Sequence, residues 1–458
     1  MSLTTNKKWI FSIVLAGIFL VIPVQGVYTM PIKLFMTTTV FFLALAAFEI
    51  VPNLFIALLL PASWIALKVA PANVALSAYS SISTLMLPGA LFLAATLTSC
   101  GLLSRIAYSI LVKLKGNYFL LLLSIFLVGV VTNILTAGSG IMITAALAAG
   151  LCLSLDCMKT KLGAGIGMAV LIGGCQAHAY SYVSTNYAVL MGASGGMLTA
   201  ADISPLRIML HNWPLFFVSI LTIFIISRWY KPESMETISN MDYFERKLKE
   251  LGAISTAEKN NLIMTAILMV FLFTTDLHGI DMNLGFAIIP WMVYLPFMKG
   301  ATFDTIKGIQ FDMMFFVLSF MGIGTVGMSV GLGQVLADLC TAVLGGSTSI
   351  FLLMALLFAV VFGLNFVMTP MAIFGLLLVP VLTIAINMGH ETLPFVYAIN
   401  ACSEAIIFPY EYAPYLLGYS FGMMKMADFI KLNAMRSVVF FAGFLFILVP
   451  YWMMTGLL

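Results

Sequence analysis

The sequence predicts an all-α polytopic membrane protein, on two grounds: its composition and the recurrence of its apolar segments. Of 458 residues, 62% are hydrophobic and 9% are charged, so a water-soluble core would have too little polar surface to cover it. Apolar windows of roughly 17 to 25 residues, enough to cross the bilayer, recur along the chain and predict about 11 transmembrane helices. The small, scattered net charge of +3 indicates the lipid bilayer as partner and argues against nucleic acid.

The first half is predicted to contain four spans, two apolar arms, a broken span and one further span. These lie near 9–28, 30–51, 53–71 and 84–104, then 117–135 and 139–155, then 161–195 and 205–228. The first span starts like a signal peptide, but it runs too long and lacks a cleavage site, so we expect it to be retained. The basic residues Arg105, Lys113 and Lys115 follow the fourth span, which predicts that this end and the N-terminus are cytoplasmic.

A polar linker, 230–260, separates the halves and is also predicted to be cytoplasmic, because it carries several lysines and arginines. Its acidic and basic residues alternate at helical spacing, which predicts an amphipathic helix. The second half then repeats the first. Its predicted spans lie near 260–278, 283–298 and 312–332, its arms near 348–368 and 372–388, its broken span over 393–423 and its last span over 430–455.

Landmarks in the two halves share nearly one offset. Gly101-Leu102 matches Gly331-Leu332, Asn133 matches Asn365, Thr136 matches Thr369, and the polar interruption around His178 matches the one around Glu411. Together these pairs predict two repeats, and we expect the second repeat to be inverted. Each repeat has a hairpin and a broken helix, which is typical of secondary transporters with a binding site between the repeats.

Specific segments resemble a known family. They are "GALFLAATLTSCGLLSRIA" at 89–107, "GMAVLIGG" at 167–174, "ACSEAIIFPYEYAP" at 401–414 and the mirrored small-polar motifs. In this order, over nearly the whole chain, they resemble the divalent anion:sodium symporter family of the ion-transporter superfamily. The resemblance implies a homodimer in a bacterial inner membrane, with a transport domain that moves like an elevator against a scaffold. It implies no cofactor other than the coupling ion.

In that family the tips of two re-entrant hairpins and the breaks of two helices hold sodium and the substrate carboxylates. The resemblance therefore assigns scaffold helices to 1–112 and 261–345, and transport halves to 113–229 and 346–458. The substrate- and cation-binding candidates are Asn133, Thr136, Ala137, Gly138, Ser139, His178, Ser184, Thr185, Asn186, Asn365, Thr369, Pro370, Met371, Glu404, Glu411 and Tyr412. Sodium ions are expected near Asn133 and Asn365. Neither tip reads Ser-Asn-Thr as in the family, and Glu411 stands where the family keeps a neutral residue, so sodium and proton coupling both stay open.

The chemistry of three candidates can be argued from the residues themselves. A carboxylate in an apolar segment costs about 2.5 to 3.5 kcal/mol to insert, so Glu404 and Glu411 are candidates for carrying a proton or binding a cation. The alternative is a water-exposed or internally hydrogen-bonded carboxylate at a helix break. His178 is expected to donate to an anion or accept a proton, or else to be a packing residue. The asparagines suit either ligand binding or contacts between helices.

The leading hypothesis is a secondary active symporter for a small anion, coupled to sodium or protons. The resemblance suggests a di- or tricarboxylate, a related organic acid or a sulfur oxyanion. A passive anion channel and, less favoured, a membrane-embedded enzyme are the alternatives. The sequence has no P-loop, H-E-x-x-H or G-x-S-x-G motif, which disfavours ATP-driven transport and familiar hydrolases. The six cysteines form no C-x-x-C pair and indicate neither a metal site nor disulfides.

Overall fold

The fold is known from a computed structural model, which describes residues 5–26, 28–47, 50–113, 117–138, 140–199, 202–232, 242–309, 311–332, 335, 349–366 and 369–458. Within these ranges the chain is helical and has no strand apart from an isolated bridge between Gln25 and Tyr28. The predicted all-α class is therefore confirmed.

The first half forms twelve α-helices in its described part. They are α1 (Thr5–Val21), α2 (Met30–Ala47), α3 (Asn53–Ala66), α4 (Ala72–Ala75), α5 (Ser83–Ser99), α6 (Leu102–Lys113), α7 (Tyr118–Leu135), α8 (Ile141–Ser154), α9 (Lys161–Gly174), α10 (Ser184–Ala193), α11 (Pro205–Asn212) and α12 (Pro214–Trp229). Short 3₁₀ turns lie at Ser77–Ser80 and Gln176–Ala179.

The linker and second half continue the series over their described residues. They contain α13 (Asp242–Glu250), α14 (Thr256–Phe273), α15 (Thr275–His278), α16 (Met282–Ile288), α17 (Phe311–Ser329), α18 (Ile350–Asn365), α19 (Pro370–Asn387), α20 (Leu393–Cys402), α21 (Ala413–Ser420), α22 (Met426–Gly443) and α23 (Val449–Thr455). Further 3₁₀ turns lie at Ile289–Tyr294, Phe303–Gly308 and Pro409–Glu411, and a π-helical turn at Phe444–Leu448 joins α22 to α23.

Polar caps fix where several of these helices begin. The side chain of Asn117 accepts a hydrogen bond from the amide of Leu120 before α7, and Thr160 accepts one from Gly163 before α9. Ser255 and Glu258 form a reciprocal capping box before α14. These caps satisfy amides that have no partner within the helix, so the first hairpin, the first broken helix and the second half all start at defined residues.

Among the described residues, five helices are long and apolar enough to cross a membrane, or up to seven if each bent pair counts as one span. The other predicted spans are shorter helices. The bent pairs are α5 with α6, at 63°, and α11 with α12, at 56°. Gly101, at φ +83°, lies between α5 and α6, and Pro214 starts α12. The sequence predicts α11 and α12 as one span, 205–228, but it ends the fourth span at 104 and does not predict α6 as a helix. Gly101 and Pro214 account for the two bends.

The same order of hairpin and broken helix occurs in both halves. Hairpin 1 is α7 and α8, and hairpin 2 is α18 and α19. Break 1 is the segment 175–183 between α9 and α10, and break 2 is the segment 403–412 between α20 and α21. We call residues 132–140 tip 1 and residues 365–370 tip 2. The predicted breaks are thus present as interruptions of two buried helices.

Small residues bring these elements into close contact. A Cβ atom on Gly129 of α7 would lie 2.7 Å from the backbone of Gly173 on α9. A Cβ atom on Gly324 of α17 would lie 2.0 Å from the carbonyl oxygen of Ala193, at the end of α10. Such approach between backbones requires glycine. Hairpin 1 therefore lies directly on the first broken helix, which in turn lies directly on α17.

Candidate functional site

The two broken helices meet through buried polar side chains. The Nδ1 atom of His178 in break 1 lies 3.2 Å from Oε1 of Glu404 in break 2, and both side chains are at most 1% exposed. Asn400, in the last turn of α20, donates to the carbonyl of His178 at 2.8 Å and accepts from Asn186 at 3.2 Å. Three contacts thus tie one repeat to the other, between residues more than 200 positions apart.

Tip 1 is attached to the start of α10. The amide and hydroxyl of Ser184 both donate to the carbonyl of Ala137, at 3.0 and 3.3 Å. Ala137 and Gly138 have φ angles of +50° and +108°, and a Cβ atom on Gly138 would lie 2.4 Å from Val183. The turn therefore needs glycine at 138 for its conformation and for its contact with break 1.

Tip 2 is attached to break 2 in a related way. The side-chain amide of Asn365 donates to the carbonyls of Ser403 and Ala405, both at 3.3 Å. Within break 2, the Glu411 carboxylate accepts from the amides of Ile407 and Phe408 at 3.1 and 3.0 Å. Glu411 is 2% exposed, so these bonds satisfy a buried carboxylate at the break. This matches the alternative of an internally hydrogen-bonded carboxylate.

Arg436, which the sequence interpretation did not single out, lies at the centre of this site. Its guanidinium donates to the hydroxyl of Tyr415 at 2.9 Å, to the side chain of Gln176 at 3.0 Å and to the carbonyl of Ile406 at 2.9 Å. It also donates to Asn433 at 2.9 Å. The side chain is fully buried. One arginine thus joins the last long helix to both breaks.

The sequence does contain a feature that could have identified Arg436, namely a single charge within a long apolar segment. Arg436 stands alone within "MRSVVFFAGFLFILVP", and the insertion cost that identified Glu404 applies equally to a guanidinium in an apolar span. Its side-chain partners Gln176, Asn433 and Tyr415 carried no such signal, because polar neutral side chains are common in contacts between transmembrane helices.

Several buried polar atoms at the tips and breaks have no hydrogen-bond partner in the described part of the chain. They include both side-chain atoms of Asn133, Oδ1 of Asn365, Oγ1 of Thr369, Nε2 of His178 and, in the first turn of α10 after break 1, Oδ1 of Asn186. Buried polar atoms are normally satisfied, so an unsatisfied group calls for an explanation. Amide and hydroxyl oxygens are ligands for a hard cation, and the amide group of Asn133 is a donor for an anion.

The remaining predicted residues lie on the same elements, but not all take part in these contacts. Thr185 lies in the first turn of α10, while Pro370 and Met371 lie in the first turn of α19 and are buried. Thr136 donates to the carbonyl of Thr132 at 2.7 Å, and the ring of Tyr412 lies edge-on to His178 with centroids 6.3 Å apart. Ser139 lies outside the described residues. The contacts bring tip 1 to break 1 and tip 2 to break 2, and the two breaks to each other.

The charges of the site do not cancel when both carboxylates are ionised and the imidazole is neutral. Arg436 donates to the Tyr415 hydroxyl, which lies 3.2 Å from the Glu404 carboxylate, and Glu411 is the second buried carboxylate of break 2. One guanidinium then stands against two carboxylates, and the buried cluster carries one net negative charge. A buried charge without a partner is costly, so the cluster favours one additional cation.

Two cavities lie among the described helices, one beside tip 1 and one away from both tips and both breaks. A space of about 20 Å³ beside tip 1 is lined by Ala137, Tyr182, Met269 and Phe286, among others. It holds about one water molecule and is too small for an organic acid. A polar cavity of about 500 Å³ lies far along the helices, between Asp156, Lys159 and Lys425. Among the described residues, no three His, Cys, Asp or Glu side chains form a metal-binding group.

Comparison with known proteins identifies the family of the chain and supports its fold. The family model described as "Sodium:sulfate symporter transmembrane region" matches residues 3–458. The solved structure of the YdaH transporter of Alcanivorax borkumensis is similar, with a TM-score of 0.55 and 16% identity, and the match covers 81% of this chain and 85% of that one. A search of curated proteins gives no match. The predicted resemblance is confirmed, and the prediction of a transporter rather than an enzyme is confirmed with it. Because the match spans residues 3–458, the chain belongs to the sodium:sulfate symporter family.

Proposed function

We propose that this protein is a sodium-coupled symporter for a small oxyanion with two or more charges, a di- or tricarboxylate or sulfate. The two tips and two breaks together form its binding site. The observation that carries the proposal is the joining of the two breaks through His178 and Glu404 beside unsatisfied polar atoms on both tips. In secondary transporters, sites between repeats are built from such discontinuous helices.

Sodium is favoured as coupling ion by the chemistry of the available atoms. The unsatisfied oxygens of Asn186, Asn365 and Thr369 are neutral acceptors, which bind a metal cation and cannot carry a proton at neutral pH. The net negative charge that the buried cluster carries when Glu404 and Glu411 are both ionised acts in the same direction. Protons remain the second candidate, because His178 can take up a proton next to Glu404 and cancel that charge.

The anion is proposed to bind at helix N-termini. Helices α8, α10 and α19 all begin at the tips and break 1, and the first amides of a helix, together with its dipole, favour negative charge. The side-chain amide of Asn133 adds a donor. Because these groups are neutral, the anion is held without a fixed positive partner, and a co-transported cation would strengthen its binding.

We further propose that 113–229 and 346–458 form a transport domain that moves like an elevator against scaffold helices in 1–112 and 261–345. The close contact of α10 with α17 is the surface along which the transport domain would slide.

A disulfide across this surface tests the motion. Cysteines at Gly195 and Met328 would have Cβ atoms about 3.1 Å apart, near the spacing of a disulfide. Oxidation of this pair is expected to arrest transport and reduction to restore it. Full activity of the oxidised pair would exclude this motion.

We also propose a homodimer in a bacterial inner membrane with the N-terminus in the cytoplasm, as the family resemblance implies. Protein purified in mild detergent should then have the mass of two chains by light scattering, after subtraction of the detergent. A single-chain mass that persists in lipid nanodiscs would contradict the dimer.

The function is tested with purified protein in liposomes and a panel of radiolabelled anions: succinate, citrate, sulfate and the monocarboxylate lactate. An inward sodium gradient at equal pH on both sides is expected to drive accumulation of a multivalent member above its equilibrium level. A proton gradient without sodium serves as the comparison and identifies proton coupling if it alone suffices. Equilibration without accumulation would identify a channel, and no uptake of any member would overturn the proposal.

A further inference from the structure

The backbone of break 2 is already occupied by donors from the protein itself. Four consecutive carbonyls accept side-chain hydrogen bonds, those of residues 403–406. Asn365 donates to the first and third at 3.3 Å, Tyr415 to the second at 3.3 Å and Arg436 to the fourth at 2.9 Å. Carbonyls freed at the end of a broken helix are the usual ligands for a coupling cation. Here one of the donors that fill them is itself a cation.

The charge of Arg436 reaches Glu404 through Tyr415. The guanidinium has donors only, so the Tyr415 hydroxyl accepts from Arg436 at 2.9 Å. Its own single proton is then shared between the carboxylate and the carbonyl of Glu404, at 3.2 and 3.3 Å. The hydrogen bonds therefore run in one direction, from guanidinium to phenol to carboxylate.

Burial makes this relay consequential. The side chains of Arg436, Tyr415 and Glu404 are all fully buried, and a guanidinium stays charged under all physiological conditions. An unpaired charge at this depth is strongly unfavourable. Arg436 and Glu404 are thus each other's compensating charge, although they are not in direct contact. Glu411, bonded by two backbone amides, is the other carboxylate near Arg436.

Tip 1 differs in this respect. Neither side-chain atom of Asn133 has a hydrogen-bond partner among the described residues, whereas its counterpart Asn365 uses its amide to fill two carbonyls of break 2. The two repeats are therefore unequal in this side-chain amide: tip 1 leaves it open, and tip 2 uses it to fill carbonyls of break 2.

We propose that Arg436 is a resident cation of break 2, which neutralises Glu404 through Tyr415 and holds a carbonyl that a coupling ion would otherwise bind. The protein consequently needs one cation fewer at this break in each transport cycle. The inference rests on the proposed sodium coupling for its transport measurement, but its stability measurement is independent of that coupling.

The test compares wild type, Arg436→Gln, Glu404→Gln and the double variant in liposomes, with the initial rate of anion uptake measured against sodium concentration. In Arg436→Gln the rate at low sodium is expected to fall about tenfold and the sodium dependence to steepen, because a further sodium ion replaces the guanidinium. Added guanidinium should reverse both effects. The double variant should return toward the wild-type curve, since both charges are removed together.

Lys431→Gln is the matched control. Lys431 is exposed on the same helix and contacts the rings of Trp229 and Tyr230, so its loss removes a positive charge without touching the relay. Its sodium curve should match that of wild type. A wild-type curve for Arg436→Gln would overturn the inference.

Thermal melting in detergent, without sodium, gives the independent measurement. Arg436→Gln is expected to melt at a lower temperature than wild type. Adding Glu404→Gln should recover part of that loss, and a double variant no more stable than Arg436→Gln would overturn the inference.

If Arg436→Gln does not fold, Tyr415→Phe keeps both charges and breaks only the relay. It should also steepen the sodium dependence, and an unchanged curve would again contradict the proposal. Failure of wild type to accumulate any anion would count against the proposed function alone.

Discussion

The Nδ1 atom of His178 and the Oε1 atom of Glu404, 226 positions apart in the chain, lie 3.2 Å from each other. With Glu404 ionised, Nδ1 must carry the ring proton, because the carboxylate only accepts. This leaves Nε2, which has no partner in the described part of the chain, as an acceptor. The contact therefore joins the breaks of the two repeats.

Replacement of His178 by alanine is expected to slow transport and to destabilise the protein by about 2 kcal/mol, the usual worth of a hydrogen bond to a charged group. His178→Asn should retain much of the activity, since its amide can still donate to Glu404. Uptake rates and melting temperatures of both variants measure this. His390→Ala, a partly exposed histidine outside the site, is the control. Equal behaviour of all three variants would show that the contact carries no function.

Replacement of Asn133 by alanine should separate binding from stability. Asn133 is fully buried and makes no hydrogen bond with its side chain in the described structure, so the melting temperature without ligands should change little. The apparent affinity for sodium and anion together, measured from the stabilisation that they give, should fall at least about tenfold. This corresponds to about 1.4 kcal/mol of binding free energy.

Asn212→Ala is the control for this change, because Asn212 is an equally buried asparagine on α11 that donates to the carbonyl of Ile208. It should lower the ligand-free melting temperature and leave ligand affinity intact. If Asn133→Ala lowered the ligand-free melting temperature and left ligand affinity intact, Asn133 would not be part of the binding site.

Replacement of Gly138 by alanine should abolish transport. Its φ of +108° is rarely accessible to other residues, and the new Cβ atom would lie 2.4 Å from Val183. Strain of this kind costs about 1 to 3 kcal/mol, and relief of it would displace tip 1 from break 1. Adding Val183→Ala should relieve the clash but not the strain, so recovery should be incomplete. Gly363→Ala on α18, where a Cβ atom meets nothing within 4 Å, should transport normally.

An ion pair holds the linker against α6. Its loss should lower the stability of the protein and leave the sodium dependence of transport unchanged. Arg105 donates to Glu258 at 2.7 and 3.2 Å and to the carbonyls of Leu251, Gly252 and Ala253. Arg105→Met is expected to destabilise the protein by about 2 to 3 kcal/mol, with an unchanged sodium dependence of the remaining transport.

Lys247→Met gives the comparison for this pair. It removes an exposed pair with Glu250 on the linker helix and should cost less than about 1 kcal/mol. If Arg105→Met instead changed the steepness of the sodium curve, the linker would belong to the coupling mechanism.

The sequence was sufficient for the positions of hairpins and breaks because these depend on local chemistry. Small polar residues and glycine interrupt apolar runs at 132–140 and 175–183, and an interrupted backbone in a membrane must lie against protein or water. Bends were harder to predict: Gly101 and Pro214 each stand within an apolar run of ordinary length, and whether such residues kink a helix depends on neighbouring helices.

The partners within the site could not be predicted from one sequence. Nothing in the spacing of Glu404, Tyr415 and Arg436 specifies that they form a relay, since they lie on three different elements and their contacts depend on tertiary packing. Arg436 itself was predictable as a buried charge, but not as a donor to break 2. The orientation of Asn365 toward two carbonyls, with Asn133 left open, also follows from packing and breaks the symmetry that the repeats suggest.

The central claim is that one site, formed by both tips and both breaks, holds the coupling ion and the anion together. The most direct test is titration calorimetry of the transported anion on purified protein, with and without sodium, followed by the reverse titration of sodium with and without the anion. The account predicts that each ligand tightens the other by the same factor, as linkage requires, and that Asn133→Ala weakens this coupling. Anion affinity that is the same with and without sodium would contradict it.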